Sequence, residues 1–297
     1  MRNDIKSITE ALNLELKEKY LKHESLNKYQ QSTLNRIEDY IIENYTVLDW
    51  IYFLENSYFK NVKKFEDVVL NSTNSFNILH FAKKVKEANI ERLQDEIIKR
   101  NQPSLIYVFA KEVNGANIAL LEEAICKSND ASVVFNFAKD IENADIKKLE
   151  QAIINTNNAE YMVKFALEIE NANIKDIEAS LLKTNDCRYI FDFAKNVKGA
   201  DTVKLADKII EIGNAGYIYA FANFIKPVNM NKLVNALIGA KSNDKYGYLS
   251  MLKKSKVLKN DVENKNKIKN YLNIVIKEAK SNKNKDILKS IDSELIK

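Results

Sequence analysis

Along the middle of the chain apolar residues fall three or four apart in two short runs, and the pair of runs returns every 28 residues without insertion. The first run is marked by Phe81-Ala82, Phe109-Ala110, Phe137-Ala138, Phe165-Ala166, Phe193-Ala194 and Phe221-Ala222, with weaker copies at Phe53-Leu54 and Leu249-Ser250. The second run reads Ile90, Leu93 and Ile97 in one copy and Ile146, Leu149 and Ile153 two copies later. That spacing is the helical period, not the alternation of a strand. Between the runs stands Asn or Asp in every copy: Asn61, Asn89, Asn117, Asp145, Asn173, Asp201 and Asn229. Such side chains accept from the free N–H groups of a helix start. Each copy therefore predicts helix A, a short turn, a capped helix B and a second turn. Asn101, Asn129, Asn157, Asn185 and Gly213 in the second turn suit helix C-termini.

A unit this small cannot bury its own apolar stripe, so neighbours must stack. The expected fold is all-α, an α-solenoid of about seven to eight two-helix repeats with helical caps. Residues 1–45 read as an N-terminal helical cap, 46–258 as the repeats and 259–297 as a basic C-terminal helical cap. In the first cap Ile5, Ile8, Leu12 and Leu16 mark one helix; Leu34, Ile37, Tyr40 and Ile41 mark a second, with Ser32 or Thr33 as its N-cap. The aromatic residues Trp50, Tyr52, Phe53, Tyr58 and Phe59 read as core.

Charge changes this picture at one end only. Residues 1–74 carry a net −2 and 75–244 a net −1, whereas 245–297 carry +8. The last segment is a solvated lysine face or a surface for an acidic partner or nucleic acid. Two cysteines in different repeats, Cys126 and Cys187, argue for a reducing compartment and against a disulfide framework. The charged N-terminus and the lack of an 18-residue apolar run point to a cytoplasmic protein with no membrane partner.

Signals for chemistry are few. His80 occupies a position that varies freely between repeats, and His23 has no second His or Cys at metal spacing. Phosphate-binding loops, zinc-protease and nucleophile-elbow motifs are absent from the sequence. Glu122, Glu123, Glu150 and Glu178 sit at helix-surface spacing near the middle of helix B. The expectation is a protein that is not an enzyme and uses no cofactor or metal.

Two ladders remain. On helix A, Tyr107, Phe135, Phe191 and Tyr219 lie two residues before the marker Phe, and Lys111, Lys139 and Lys195 two after it. Stacking would align Tyr107, Lys111, Phe135, Lys139, Phe191, Lys195 and Tyr219 as an aromatic stripe beside a lysine stripe, the candidate binding surface. The plainer reading puts the rings in the seam between helices and the lysines in solvent. On helix B, Lys63-Lys64, Arg92, Lys147-Lys148, Lys175, Lys204 and Lys232 stand at the helix start. Asp67, Asp95, Glu150 and Glu178, three or four residues beyond Lys63, Arg92, Lys147 and Lys175, would pair with them along the helix.

The text Phe-Ala-Lys-x-Val/Ile-x-x-Ala-Asn/Asp-Ile-x-x-Leu-Glu-x-Ala-Ile resembles short helical-hairpin repeats in uncharacterised proteins of Gram-positive bacteria and their phages, from Trp50 to about Leu258. The resemblance implies an α-solenoid and no catalytic residues. The function expected is an interaction scaffold that binds a protein or peptide along one face. The alternative is a nucleic-acid-binding repeat protein using the basic C-terminal segment and the helix B starts, and a third reading is a homodimer formed through a terminal cap.

Overall fold

The computed structural model describes residues 2–291, so the last six residues of the C-terminal cap segment lie outside the described residues. Among the described residues the chain is all-helical, in repeated helix pairs, with no strand. It forms two compact units, Met1–Asp145 and Ile146–Lys297. The first holds α1 (Arg2–Leu21), α2 (Lys28–Asn44), α3 (Val47–Asn56), α4 (Val62–Leu70), α5 (Ser75–Lys84), α6 (Ile90–Lys99), α7 (Pro103–Glu112), α8 (Ile118–Lys127) and α9 (Ala131–Asp140). The second holds α10 (Ile146–Asn155), α11 (Ala159–Glu168), α12 (Ile174–Leu181), α13 (Cys187–Asn196), α14 (Thr202–Ile212), α15 (Ala215–Phe224), α16 (Met230–Gly239), α17 (Lys245–Lys254), α18 (Val262–Ser281) and α19 (Lys285–Ser290). Within each unit successive A helices pack side by side, as α3, α5, α7 and α9 do in the first and α11, α13, α15 and α17 in the second.

The marker phenylalanines fill the space between the two layers. Phe53, Phe81, Phe109 and Phe137 in the first unit, and Phe165, Phe193 and Phe221 in the second, are fully buried. Helix B answers with Phe65, Leu93 and Leu121 in the first unit and Leu149, Ile177, Leu205 and Leu233 in the second. Most repeat helices span only 8–11 residues, too short to persist alone in water, so packing of this face stabilises them.

Helix A ends where the sequence places a β-branched residue. Val85, Val113, Ile141, Ile169, Val197 and Ile225 have extended backbones, donate their N–H to the marker Phe carbonyl and stay buried. Two residues on, Gly115, Asn143, Asn171 and Gly199 take positive φ, which lets the chain reverse toward helix B. Asn101, Asn129, Asn157, Asn185 and Gly213 do the same after helix B. The predicted caps form: Asn61, Asn89, Asn117, Asn173, Asp201 and Asn229 each accept from a backbone N–H in the first turn of helix B.

The mid-helix carboxylates correct the surface reading. Glu38, Glu66, Glu122, Glu150 and Glu178, with Gln94 in the same series, are buried. Each accepts the backbone N–H of the cap residue that opens the next helix B, 23 residues on. The pairs are Glu38 with Asn61, Glu66 with Asn89, Gln94 with Asn117, Glu122 with Asp145, Glu150 with Asn173, and Glu178 with Asp201, at 2.5–2.8 Å. The cap residue thus has its side chain committed to its own helix and its N–H committed to the preceding repeat. Because Glu38 belongs to α2, the second helix of the N-terminal cap behaves as a helix B. Its N-cap is Asn27, in a capping box with Gln30, rather than Ser32 or Thr33. The aromatic cluster divides: Trp50 and Phe53 are core, while Tyr58 stays 40% exposed and stacks on Tyr20 at 4.3 Å.

Burial pushes the carboxyls of Glu38 and Glu150 above their ordinary value, against the pull of the accepted N–H. A folded carboxyl that holds its proton better than the unfolded one favours folding at acid pH. That contribution is lost as the pH rises from the usual carboxylate range through the raised folded value. Glu150→Gln, which copies Gln94, is therefore expected to keep the bond and to be at least as stable as the parent at pH 7. Glu150→Ala leaves the Asn173 N–H without its acceptor and should cost about 1–3 kcal/mol. Denaturant melts of the three proteins at pH 5 and pH 7 check both points; equal melts for the Ala and Gln variants would refute the assignment.

Candidate interaction surface

Four residues along a helix A bring a lysine back over the ring one turn before it. Lys111 lies 5.5 Å from the Tyr107 ring centre, Lys139 5.7 Å from Phe135 and Lys195 5.8 Å from Phe191, the range of cation–π contacts. Tyr219 has Asn223 at the following turn and stacks instead on Tyr248, ring centres 5.3 Å apart. Exposure varies along the row. Phe135 is buried at 6%, so it serves the seam between helices and not a surface. Tyr107, Phe191 and Tyr219 are half-buried, and Lys111, Lys139 and Lys195 exposed.

In the first unit the row is closed by its own charges. Asp140 accepts from both the Tyr107 hydroxyl and, at 2.6 Å, Lys111. One repeat earlier Lys83 pairs with Glu112, also at 2.6 Å. Both lysines sit two residues past the marker Phe, and both acids three past the next one. The Tyr107 phenol is pushed above its ordinary range, first by burial and then by the Asp140 carboxylate.

In the second unit the row runs into a cluster of rings around Phe191. Phe191 meets Tyr217 at 6.2 Å, Phe221 at 5.7 Å and Phe224 at 6.5 Å between ring centres. Phe224 is nevertheless 59% exposed. Tyr248 reaches Tyr219 because position 216 is glycine: a Cβ there would lie 3.1 Å from the Tyr248 hydroxyl. The period does not single out Phe224 and Tyr248, which stand where most other repeats carry different residue types; Tyr217 continues a series of Tyr161 and Tyr189 that lies outside the expected stripe. Further along, Tyr246 stacks on Tyr271, with Lys245 within 5.8 Å of both rings.

Four cations of the helix B ladder pair between repeats and not along one helix, while Lys63, Lys147 and Lys175 are exposed and, among the described residues, do not form the expected pairs with Asp67, Glu150 and Glu178. Arg92 reaches Glu66 at 2.6 Å and Asp67 at 2.9 Å, both in the preceding helix B, in place of the expected Asp95. Lys64 lies 3.7 Å from Glu38 and 2.7 Å from Asp39. In the second unit Lys204 approaches Glu178 at 3.7 Å and Lys232 pairs with Asp207 at 2.5 Å. A cation beside Glu38, Glu66 or Glu178 partly offsets the cost of burying that carboxylate.

A separate groove of about 710 Å3 opens between α1 and α2, over Ile8, Leu12 and Ile37, with Glu15, Arg36 and Tyr40 on its sides. Among the described residues no cluster of three or more His, Cys, Asp or Glu is placed to hold a metal ion. No helix among them is long and apolar enough to cross a membrane. Burial raises the Cys187 thiol, with Asp186 adding to it, which disfavours the reactive thiolate.

If Asp140 loads the Tyr107 hydroxyl as described, Asp140→Asn should bring the phenol part of the way back toward its ordinary titration range, leaving the share due to burial. Carbon NMR of labelled tyrosine through an alkaline titration reads this directly; an unmoved Tyr107 would remove Asp140 as a cause.

No protein-family model matches the chain, and no curated protein matches it, so function rests on the geometry of these surfaces.

Proposed function

We propose that the chain is a non-enzymatic interaction scaffold of the cytoplasm that takes a protein or peptide partner along the helix A face of its second unit. One observation carries this reading: Phe224 is 59% exposed while its neighbour Phe191 is fixed by three rings. A large apolar ring held at a surface is costly in water and supplies a rigid anchor at small entropic cost. The lysines and half-buried tyrosines around it give the polar rim such interfaces carry. The two cysteines, in no disulfide, fit a reducing compartment.

The test is affinity capture from a native lysate with the intact chain and with Phe224→Ala and Phe191→Ala. The partner retained by the parent should be lost or weakened at least about tenfold by either substitution, while far-UV circular dichroism stays unchanged. Capture of the same set at the same yield by both variants would place the interface elsewhere.

A second reading, nucleic-acid binding, is favoured by one feature alone, the exposed lysines Lys256, Lys259, Lys269 and Lys277 around α17 and α18. The helix B starts support it weakly, because Lys64, Arg92, Lys204 and Lys232 are paired with carboxylates and leave Lys63, Lys147 and Lys175 as a broken row. Four phosphate contacts to a single strand would give a slope of about −3 in a plot of log K against log salt. Fluorescence anisotropy with a labelled oligonucleotide measures it, and no binding in low salt dismisses this reading.

A further inference from the structure

Resting on the scaffold reading, we propose that the site around Phe224 selects an acidic, apolar segment of its partner, with Lys195 as the residue that takes the carboxylate. The argument comes from a pairing register. A residue two past one marker Phe faces the residue three past the next, 29 positions on; Lys83 with Glu112 and Lys111 with Asp140 are the observed pairs. Read along the sequence, the remaining register partners within each unit are Glu55 with Lys84, Leu167 with Asn196, Lys195 with Phe224, and Asn223 with Leu252. Each is either a pair of opposite charges or free of charge, except one. Lys195 has Phe224 where the repeat would supply an acid.

The consequence is visible in the structure. Lys195 is exposed, makes no ion pair among the described residues and rests over the Phe191 ring. Helix α15 carries no charged residue between Ala215 and Phe224. The charges beside the cluster are Lys195 over the Phe191 ring and Arg188, Asp186 and Asp192 near Tyr217. A cation left open beside an exposed ring fits a ligand that brings a carboxylate and, within a residue or two, an aliphatic or aromatic side chain to cover Phe224. A basic or purely apolar segment would leave Lys195 unanswered and is disfavoured.

The register supplies its own test. Phe224→Glu restores the missing acid, as Glu112 and Glu168 stand in their repeats. One substitution thus pairs Lys195 within the chain and removes the ring. The fold should be unaffected, because the position is exposed and other repeats hold Glu there. The probes are fluorescein-labelled twelve-residue peptides: one alternating Asp or Glu with Leu and Phe, one with Lys in place of the acids, and one acidic with Ser in place of the apolar residues. Anisotropy should show the first bound most tightly, with Lys195→Glu and Phe224→Glu each weakening it by at least about tenfold. Lys175→Glu, on exposed helix B surface, should leave it unchanged.

Equal affinity for the Lys peptide, equal affinity for the Ser peptide, no binding of any peptide, or an equal loss with Lys175→Glu each overturns the proposal. The scaffold reading fails differently. If lysate capture depends on Phe224→Ala but not on Lys195→Glu, the face binds a partner and the acidic selection is wrong. If capture depends on neither, the face itself is wrong.

Discussion

The hydrogen bond from a helix B cap to the buried acceptor of the preceding helix B, made at six junctions, is the constraint on which most of the repeat turns. A helix start presents free N–H groups, and stacking helix starts at close range takes water away from them. An unmet buried donor costs more than a made bond contributes, so a junction that buries its cap N–H needs an acceptor at a fixed place. Residues 23 apart meet that need in six successive junctions, four within Met1–Asp145 and two within Ile146–Lys297. An insertion in either turn would move the acceptor away from the donor, which gives a physical reason for a period of fixed length. Gln94 shows that an amide oxygen suffices, so geometry and not charge is the requirement. The carboxylates carry a burial cost on top, and Lys64, Arg92 and Lys204 at the helix B starts are placed where they offset it.

The series stops after Glu178. Ala206 and Val234 occupy the next two positions, and neither offers an acceptor. Over the same stretch the helix A face turns aromatic, with Phe191 against Tyr217 and Phe224 and, separately, Tyr219 against Tyr248. Polar, directional junctions thus give way to apolar ones that tolerate small shifts. A surface made of rings on such junctions is better suited to fitting against another molecule than one locked by ion pairs, as the row in Met1–Asp145 is by Asp140 and Glu112.

Most of the fold is legible in the sequence because its signals are local. The helical period, the Asn and Asp caps and the glycine or asparagine turns act within one repeat. What is not legible acts between repeats. Period alone does not separate a buried mid-helix Glu from a solvated one. Glu150, between Leu149 and Ile153, reads as the polar side of the helix until the next cap is known to sit against it. Looking one turn along the helix likewise matches Arg92 to Asp95, whereas its partners Glu66 and Asp67 lie a repeat away. Of the helix A row, the ring–lysine stacking at four residues is foreseeable, but the burial of Phe135 and the exposure of Phe224 depend on what the adjacent helix brings to each ring.

In a chain with a fixed period, every structural demand recurs at the same place, and residues that serve stacking recur with it. A position that departs from its series is therefore released from that demand or answers a different one. Gly216 stands where other repeats have Arg188, Glu160 and Ser132, and the space it leaves is taken by Tyr248. Ala206 stands where the buried acceptor would be, and Phe224 where an acid would be. These departures fall in neighbouring hairpins of one unit. Stability alone gives no reason for placing an exposed phenylalanine opposite an open lysine, since an acid there would present less apolar surface to water and close the charge. Recognition of another molecule, as proposed above, would be a demand of a different kind from stacking.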